Sequence, residues 1–264
     1  MGSSVHLYLR YHAYAKKVRR TCFSNGILGG MWKMKLIEGE FSFLKEKGHV
    51  ISIVGAGGKT TLMYWLAETF AENGARVLVT TTTHIYQPEE EHWAKNCREL
   101  TGLWSRGTYA VMGTPDGNGK LTGLPEEKLK SCMKMADVVL IEADGARRLP
   151  CKVPAAHEPV IPDSSDIVIG VMGMSALGKT LNEVCFRAEE AAKLLGVTPE
   201  ERLTEEMMAE ILASGQGTRK NVGMREYYVV LNQCDSKRYI KVGKEIIKLL
   251  PERYHAKAVL TSCL

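Results

Sequence analysis

The sequence lacks three features that would each define a class of protein: paired cysteines, a long apolar run and, over most of its length, an excess of one charge. The seven cysteines are scattered and form no C-x-x-C pair, which argues against a disulfide framework and a structural zinc site. No continuous apolar stretch is long enough for a signal peptide or a membrane span. We therefore expect a cytoplasmic protein with no membrane partner.

The formal net charge of +5 originates in the first 33 residues, which carry six basic residues and no acidic one. Subtracting six from +5 leaves about −1 for the remainder, so we expect no nucleic-acid partner. Residues 1–33 show no helical or strand period, and two glycines precede Met31 and Met34, as a ribosome-binding purine run read in frame would encode. We interpret 1–33 as a non-native or disordered extension and 34–264 as one domain.

Short apolar runs alternate with stretches of helical spacing. Strands are predicted at 49–54, 76–79, 138–141, 167–171, 227–231 and 258–260, and helices at 61–70, 89–100, 125–134, 182–195, 204–213 and 236–250. The turn signal at 116–119 predicts a small hairpin insertion between 109–112 and 120–122. This alternation is typical of an α/β fold, a mostly parallel sheet with helices on both faces that binds ligands at the carboxyl ends of its strands.

A glycine-rich turn follows the first predicted strand, and we call residues 55–60 the first glycine loop. Loops of this kind bind phosphates through backbone N–H groups and a helix N-terminus, with a lysine on the terminal phosphates and a hydroxyl on Mg²⁺. Ile53 stands where the common pattern has its first glycine, so the loop is a shortened variant; a glycine turn with an incidental lysine is the alternative. The pattern predicts a P-loop NTPase-like domain that binds Mg²⁺ and ATP or GTP through Gly55, Ala56, Gly57, Gly58, Lys59, Thr60 and Thr61.

A second segment, residues 173–180, matches G-x-x-x-x-G-K-[ST] letter for letter, and we call it the second glycine loop. It carries Met174 and Leu177 where tight wrapping of the backbone around a phosphate favours glycine. No strand followed by threonines comes after it, as one does after the first loop. We therefore choose the first glycine loop as the nucleotide site.

Two acids end the strand predicted at 138–141. Phosphoryl chemistry uses a carboxylate at such a position to hold Mg²⁺ and to orient the attacking water. Glu142 and Asp144 are two residues apart and would face the same side of a continuing strand. We predict that they bind the metal with Thr60 and act with Lys59 in catalysis; the alternative is that one of them caps the following turn.

The strand predicted at 227–231 ends in Asn232-Gln233-Cys234-Asp235. Guanine-specific P-loop proteins carry Asn-Lys-x-Asp here, and the aspartate accepts both guanine N–H donors. Gln233 replaces the lysine that stacks on the base. Asn232 and Asp235 are therefore predicted to contact the nucleotide base, while a helix N-cap role for Asp235 stays open.

These segments together resemble the YqeC family, the accessory proteins of selenium-dependent molybdenum hydroxylases. The resemblance rests on the first glycine loop, the threonines Thr80 to Thr83, and Ile141 to Arg147. It continues through the block from Lys152 to Pro162, which includes His157-Glu158-Pro159, and through Ala176 to Lys179. Phe186-Arg187-Ala188-Glu189 matches the family's His-Arg-Pro-Glu only loosely, and residues 1–33 have no counterpart.

The resemblance implies a role in making or inserting a selenium-containing molybdenum cofactor, with molybdenum hydroxylases or cofactor-maturation proteins as partners. We place substrate or partner contacts on residues 147–162, within the long loop at 145–163, and on the threonines before it. The residues concerned are Thr82, Thr83, Arg147, Lys152, His157 and Glu158. A proline-stiffened lid in which His157 is only hydrogen-bonded is the alternative.

Three functions fit these observations. The first is a nucleotide-hydrolysing maturation factor. The second is a nucleotide-dependent ligase or transferase, because the Gly-Lys-Thr-Thr run of the first glycine loop is also similar to that of the Mur ligases. The third is a non-enzymatic module that senses a nucleotide. The residues leave ATP against GTP, the client enzyme and the oligomeric state open.

Overall fold

The computed structural model describes residues 34–263, so the predicted extension over residues 1–33 lies outside the described residues. The strands, in chain order, are β1 (Met34–Glu38), β2 (His49–Gly55), β3 (Val77–Thr81), β4 (His84–Tyr86), β5 (Ala110–Val111), β6 (Thr114–Pro115), β7 (Lys120–Thr122), β8 (Val138–Glu142), β9 (Cys151–Lys152), β10 (Ile167–Gly173), β11 (Cys185–Phe186), β12 (Glu226–Asn232) and β13 (Ala258–Cys263).

Within residues 34–263 the main sheet has eight strands, in the order β1-β13-β12-β10-β2-β8-β3-β5. Of these described strands only β1 is antiparallel to its neighbour; the other neighbouring strands are parallel. β4, β7 and β6 form a small antiparallel sheet, and β9 pairs with β11. The predicted α/β class and the mostly parallel sheet are confirmed.

Helices connect these strands: α1 (Lys59–Glu72), α2 (Cys97–Trp104), α3 (Glu126–Met133), α4 (Leu181–Val184), α5 (Ala188–Leu195), α6 (Glu205–Ala213) and α7 (Lys237–Leu249). Short 3₁₀ helices cover Ser42–Lys45, Glu90–His92, Met174–Ala176 and Glu252–Lys257.

Helices cover both faces of the main sheet, because successive strand residues point to opposite sides. On β12, Val229 and Leu231 pack into a cluster with residues of α5, α6 and α7. Their neighbours Tyr228 and Val230 pack on the other side, in a cluster that contains the apolar residues of α1. The strands are buried on both faces, which is why they read as continuous apolar runs.

The sheet order gathers the predicted motifs at one edge. β2, which leads into the first glycine loop, lies between β8 and β10, with Ile53 opposite Glu142 and Gly55 opposite Val171. Because β2, β8, β10 and β12 are parallel, their carboxyl ends meet at the same edge of the sheet. The two glycine loops, the acids Glu142 and Asp144 at the end of β8, and Asn232 therefore all lie along that edge.

The hairpin prediction was wrong in one of its two strands. Ala110–Val111 joins the edge of the main sheet beside β3, and Thr114–Pro115 is the segment that pairs with Lys120–Thr122. Residues 109–112 are all buried, as fits a strand covered on both faces and not half of a solvent-facing hairpin. The turn is held by Asp116, whose carboxylate accepts the N–H groups of Asn118 and Lys120.

Two helix predictions were also wrong in extent. The helix predicted at 89–100 is a 3₁₀ turn followed by α2, which begins after Asn96 because the Asn96 side chain accepts the Glu99 N–H (3.0 Å). The helix predicted at 182–195 is divided, because Cys185–Phe186 pairs with Cys151–Lys152 and Arg187 is left-handed (φ 72°). β1 was not predicted.

Candidate functional site

The first glycine loop connects β2 to α1 by a backbone path that only glycine follows without strain. Gly55, Gly57 and Gly58 have φ values of 92°, 82° and 121°. A Cβ on Gly57 would lie 2.2 Å from the Gly173 backbone nitrogen, and one on Gly58 would lie 2.2 Å from Asn232 Nδ2. Close packing against the neighbouring strand ends therefore requires these glycines as much as the dihedral angles do.

The loop ends at the N-terminus of α1, for which Gly58 is the N-cap. No side chain of the described residues caps this helix end, so its first N–H groups are left to an anion or to water. The loop N–H groups before it are occupied, because Ala56 donates to Val171 O (2.8 Å) and Gly57 to Leu149 O (3.1 Å). In this conformation the helix end, which includes the half-buried Thr61, is the part of the loop that offers donors.

Lys59 is the buried cation of the site, only 4% exposed. Its Nζ donates to Gly55 O (2.7 Å) and lies 3.1 Å from Asp144 Oδ1. Burial opposes the charge of Lys59, but the carboxylates of Asp144 and Glu142 outweigh burial and raise the pKa of Lys59. The lysine is therefore held as a cation beside the helix N-terminus, where a phosphate would complete its neutralisation.

Thr60 and Glu142 form a second pair at the same helix end. The Thr60 hydroxyl donates to Glu142 Oε2 (2.8 Å). Burial raises the pKa of Glu142, although Lys59 and Thr60 act in the opposite direction. Adjacent hydroxyl and carboxylate oxygens are ligands that Mg²⁺ prefers, so this pair fits such an ion.

Within residues 34–263, no group of three or more His, Cys, Asp or Glu side chains is arranged to hold a metal alone. Mg²⁺ is usually held by one or two protein carboxylates together with waters and substrate phosphates. The Thr60–Glu142 pair would accordingly hold Mg²⁺ jointly with a bound phosphate.

Asp144 is a buried acid that hydrogen-bonds to the backbone of the first glycine loop. It is 2% exposed, and its Oδ2 accepts the Gly55 N–H (3.1 Å) and lies 3.2 Å from Lys152 Nζ. Its Oδ1 lies at ionic distance from Lys59 but receives no aligned hydrogen bond from the described residues. The two predicted metal-binding acids thus differ, since Glu142 faces the threonine and Asp144 the two lysines.

A chain of buried charges leads from Asp144 into the loop at 145–163. Lys152, whose side chain is 0% exposed, lies 2.9 Å from Glu158 Oε2 and donates to Gly145 O. Glu158 also meets Arg187 (3.1 Å). Although burial by itself raises the pKa of Glu158, Lys152 and Arg187 outweigh it and lower that pKa. Lys152 and Glu158, predicted to contact a substrate or partner, are paired inside the protein.

The other predicted contact residues lie nearer the surface than these buried ion pairs. Thr82 donates through its N–H to Glu142 O (3.1 Å) and through its hydroxyl to Val160 O (2.9 Å), and the Thr83 N–H reaches Thr81 Oγ1 (2.9 Å). Arg147 is exposed and left-handed (φ 47°), with its guanidinium carbon 5.0 Å from the Phe186 ring centroid. His157 is exposed.

The predicted base-reading segment lies beside the first glycine loop. Asn232 is fully buried; its Nδ2 donates to Gly57 O (2.8 Å) and its Oδ1 accepts the Thr261 hydroxyl (2.9 Å). Asp235 is exposed and accepts the Ser262 hydroxyl at Oδ1 (2.6 Å). Gln233 instead accepts the Ser175 hydroxyl (2.5 Å), which turns it toward the second glycine loop.

The second glycine loop has a different local structure. Met174–Ala176 is a 3₁₀ turn, the Gly178 N–H donates to Leu203 O (2.9 Å), and the Leu203 N–H donates to Lys179 O (2.9 Å). Lys179 is exposed. The Thr180 N–H and hydroxyl both donate to Glu183 Oε2 (2.9 and 2.8 Å). The loop thus starts the short helix α4 and leaves its lysine in solvent.

Sequence reasoning missed Thr261 and Ser262, which hold Asn232 and Asp235. Their position at the end of a predicted parallel strand was the available signal, since such ends line the ligand edge. It also missed that Lys152 pairs with Asp144, because nothing in the spacing of a proline-rich loop fixes which side chains turn inward.

The chain is similar to one protein family and to one curated protein in particular. The model of the family described as YqeC protein matches residues 51–189. A protein of Escherichia coli (strain K12), called Uncharacterized protein YqeC, is 39% identical over 205 residues, which cover 73% of this chain and 80% of that protein. Within the described residues, no helix has the length and apolar character needed to cross a membrane.

Proposed function

Because the chain belongs to the YqeC family, we propose that it is a Mg²⁺-dependent nucleotide-binding accessory protein that hydrolyses its nucleotide during the making or insertion of the selenium-containing molybdenum cofactor. The first glycine loop supports nucleotide binding, and the resemblance of its motifs supports the selenium–molybdenum role. The scattered cysteines favour a cytoplasmic location.

The observation that carries nucleotide binding is the meeting of Lys59, Thr60 and Glu142 at an uncapped helix N-terminus. Lys59 Nζ is buried and charged, and Thr60 lies 2.8 Å from Glu142. These are the groups that a P-loop NTPase uses for the terminal phosphates and Mg²⁺. A purely structural glycine turn has no need of a buried lysine between two carboxylates.

The order of the strands supports the same proposal. The acid-bearing strand β8 lies directly beside β2, although β3 lies between them in the chain. In the dinucleotide-binding fold, whose order is 3-2-1-4-5-6, the second strand takes that place. Here β8 and not β3 lies next to β2, which brings Glu142 and Asp144 to Lys59 and Thr60.

Each group has a role that follows from its chemistry. The helix N-terminus and Lys59 would bind the phosphates, and Thr60 and Glu142 would hold Mg²⁺. The ion would neutralise charge on the phosphates. Glu142 would also orient the attacking water, a role for which its burial next to the helix end is suitable.

A route for signalling supports an accessory role. In binding a phosphate, Lys59 would leave Asp144 Oδ1, which then keeps Lys152 and the Gly55 N–H as partners. Lys152 is also bound to Glu158, which meets Arg187. The state of the nucleotide would thereby be coupled to the loop at 145–163, where we place contacts with a cofactor-maturation partner or a molybdenum hydroxylase.

The test is calorimetric titration of protein starting at Met34 with ATP, GTP and CTP in the presence of Mg²⁺. We expect Lys59→Ala to weaken binding at least about tenfold, as losing a charged hydrogen bond of about 1.5–3 kcal/mol implies. Thr60→Ala, which leaves the buried charges intact, is expected to weaken the dependence on Mg²⁺.

Lys179→Ala is the matched control, since the exposed lysine of the second glycine loop should leave affinity unchanged. Binding that depends on Lys179 and not on Lys59, or no binding by the unmodified protein, would overturn the proposal. Phosphate release without transfer to a small molecule distinguishes hydrolysis from ligase chemistry, and binding without release would indicate a sensing module.

A further inference from the structure

Asp235 is an exposed carboxylate at the edge of the sheet that carries the first glycine loop, and a neighbouring hydroxyl orients it. It follows β12 directly, is exposed, and has one oxygen fixed by the Ser262 hydroxyl at 2.6 Å. No residue in the range 34–263 donates a hydrogen bond to its Oδ2. A carboxylate offers about four acceptor positions over its two oxygens, so Asp235 keeps free acceptors in a fixed orientation.

Asn232 and Thr261 link the end of β12, and so Asp235, to the first glycine loop. Asn232 lies between Gly57 O (2.8 Å) and the Thr261 hydroxyl (2.9 Å), and the Cys234 N–H donates to Thr261 O (2.9 Å). The ends of β12 and β13 are thus joined by three hydrogen bonds, one from each hydroxyl of the Thr261–Ser262 pair and one from the Cys234 N–H. Through these bonds the position of Asp235, and with it the distance from Asp235 to the loop, is tied to Asn232 and β13.

That distance suits the two ends of a nucleotide. β12 is two strands from β2 and β13 is three strands away, which corresponds to about 10 and about 14 Å at a strand spacing of ~4.8 Å. The acids after β8 lie on the other side of β2. Phosphates bound at the first glycine loop would therefore have Mg²⁺ on one side and the base toward Asp235 on the other.

The chemistry of the bases then distinguishes among them. Guanine presents two adjacent N–H donors, N1–H and the 2-amino group, which match the two oxygens of a carboxylate. Adenine presents an acceptor at N1 and would leave Asp235 facing a lone pair. We propose that the nucleotide is a guanine nucleotide and that Asp235, oriented by Ser262, accepts the N1–H and 2-amino hydrogens of the base. This rests on the proposed nucleotide binding and adds its specificity.

The experiment compares the affinities of GDP, ADP and xanthosine diphosphate, with Mg²⁺, for the unmodified protein and for Asp235→Asn. Xanthine keeps N1–H but has a carbonyl in place of the 2-amino group, so an asparagine amide at this position would accept N1–H and donate to that carbonyl. We expect the unmodified protein to prefer GDP over ADP by about tenfold or more. Asp235→Asn is expected to lose GDP affinity and gain xanthosine diphosphate affinity by a similar factor.

The control is Glu252→Gln, which removes one exposed negative charge beyond α7 and should leave all three affinities unchanged. Ser262→Ala should reduce the preference for GDP by a smaller factor, because Asp235 stays in place but loses its orienting bond. Circular dichroism checks that each variant is folded.

The outcomes separate this inference from the proposed function. Equal affinity for GDP and ADP, still dependent on Lys59, would overturn the guanine assignment and leave nucleotide binding standing. Loss of GDP binding by Asp235→Asn without a gain for xanthosine diphosphate would also overturn it. Failure of every nucleotide to bind the unmodified protein would overturn the proposed function itself, and the guanine assignment with it.

Discussion

The two glycine loops carry the same Gly-Lys-Thr letters and follow neighbouring parallel strands, β2 and β10, yet their lysines have opposite environments. Lys59 is buried at the start of a fourteen-residue helix and lies 3.1 Å from Asp144. Lys179 is exposed, and the helix that follows it has four residues. The second loop matches the common pattern more closely, so the difference comes from what the fold places beside each loop.

The threonines sharpen this comparison, because each donates its hydroxyl to a glutamate at 2.8 Å. Glu142 comes from another strand and is buried, and burial raises its pKa. Glu183 lies three residues after Thr180, and hydrogen bonds from the Thr180 N–H and hydroxyl lower its pKa. The same contact thus involves a buried carboxylate of raised pKa in one loop, as functional sites often do, and is a helix cap in the other.

The largest effect is expected from removing Lys152, which lies behind the first glycine loop, in comparison with removing Lys179, the exposed lysine of the second glycine loop. Lys152→Met would leave Asp144 and Glu158 buried without their shared cation, at a cost of about 3–5 kcal/mol in the free energy of unfolding. Lys179→Met should change it by less than about 0.5 kcal/mol, as surface substitutions do. Urea unfolding measures both, and similar values for the two variants would remove the distinction between the loops.

A smaller effect is expected from adding one methyl group to each loop. Gly57→Ala combines a left-handed residue with a Cβ 2.2 Å from backbone at Gly173, for roughly 2–4 kcal/mol of destabilisation. Gly178 has φ 75° but nothing within 4 Å of its Cβ position, so Gly178→Ala should cost only about 1–2 kcal/mol. Thermal unfolding of both variants tests the difference, and an equal cost would show that the packing around Gly57 gives way.

The smallest effect concerns the two glutamates and depends on pH. The folded state raises the pKa of Glu142, so its ionisation costs stability as the pH rises above the unfolded value of about 4.3. Glu142→Gln should therefore be more stable than the unmodified protein at pH 7, and the gain should shrink in acid. The folded state lowers the pKa of Glu183, which adds stability above about pH 4.3 that is lost as the pH falls through the lowered value.

Glu183→Gln should accordingly be less stable than the unmodified protein at pH 7, with the loss vanishing in acid. Urea unfolding at pH 7 and pH 4 measures both variants. Changes of the same sign at pH 7 would contradict the opposite environments of the two glutamates.

Much of the fold was readable because each buried strand is a continuous apolar run, as at residues 138–141 and 227–231. Errors arose where local patterns compete with long-range pairing. Residues 109–112 precede a strong turn signal, but they are buried because two of them, Ala110–Val111, form the strand at the edge of the main sheet. The spacing of apolar residues around Cys185 and Phe186 predicts a helix, but the two residues pair with β9. No local sequence pattern indicates this pairing.

The predicted site residues divide in the same way. Gly55 to Thr60, Glu142 and Asn232 lie together because strand ends of one parallel sheet share an edge. The inward direction of Lys152, on which its ion pair with Asp144 depends, could not be read from the loop at 145–163. Ser262, which fixes Asp235, carried no motif of its own.

The sequence by itself determined the six predicted strands of the main sheet, the helix that follows the first glycine loop and the acids that end β8, because these follow from local hydrophobic period and local backbone chemistry. Only the tertiary structure decided which Gly-Lys-Thr is surrounded by carboxylates and which acid faces the threonine. That choice depends on the order of strands in the sheet, and strand order is set by packing between segments far apart in the chain.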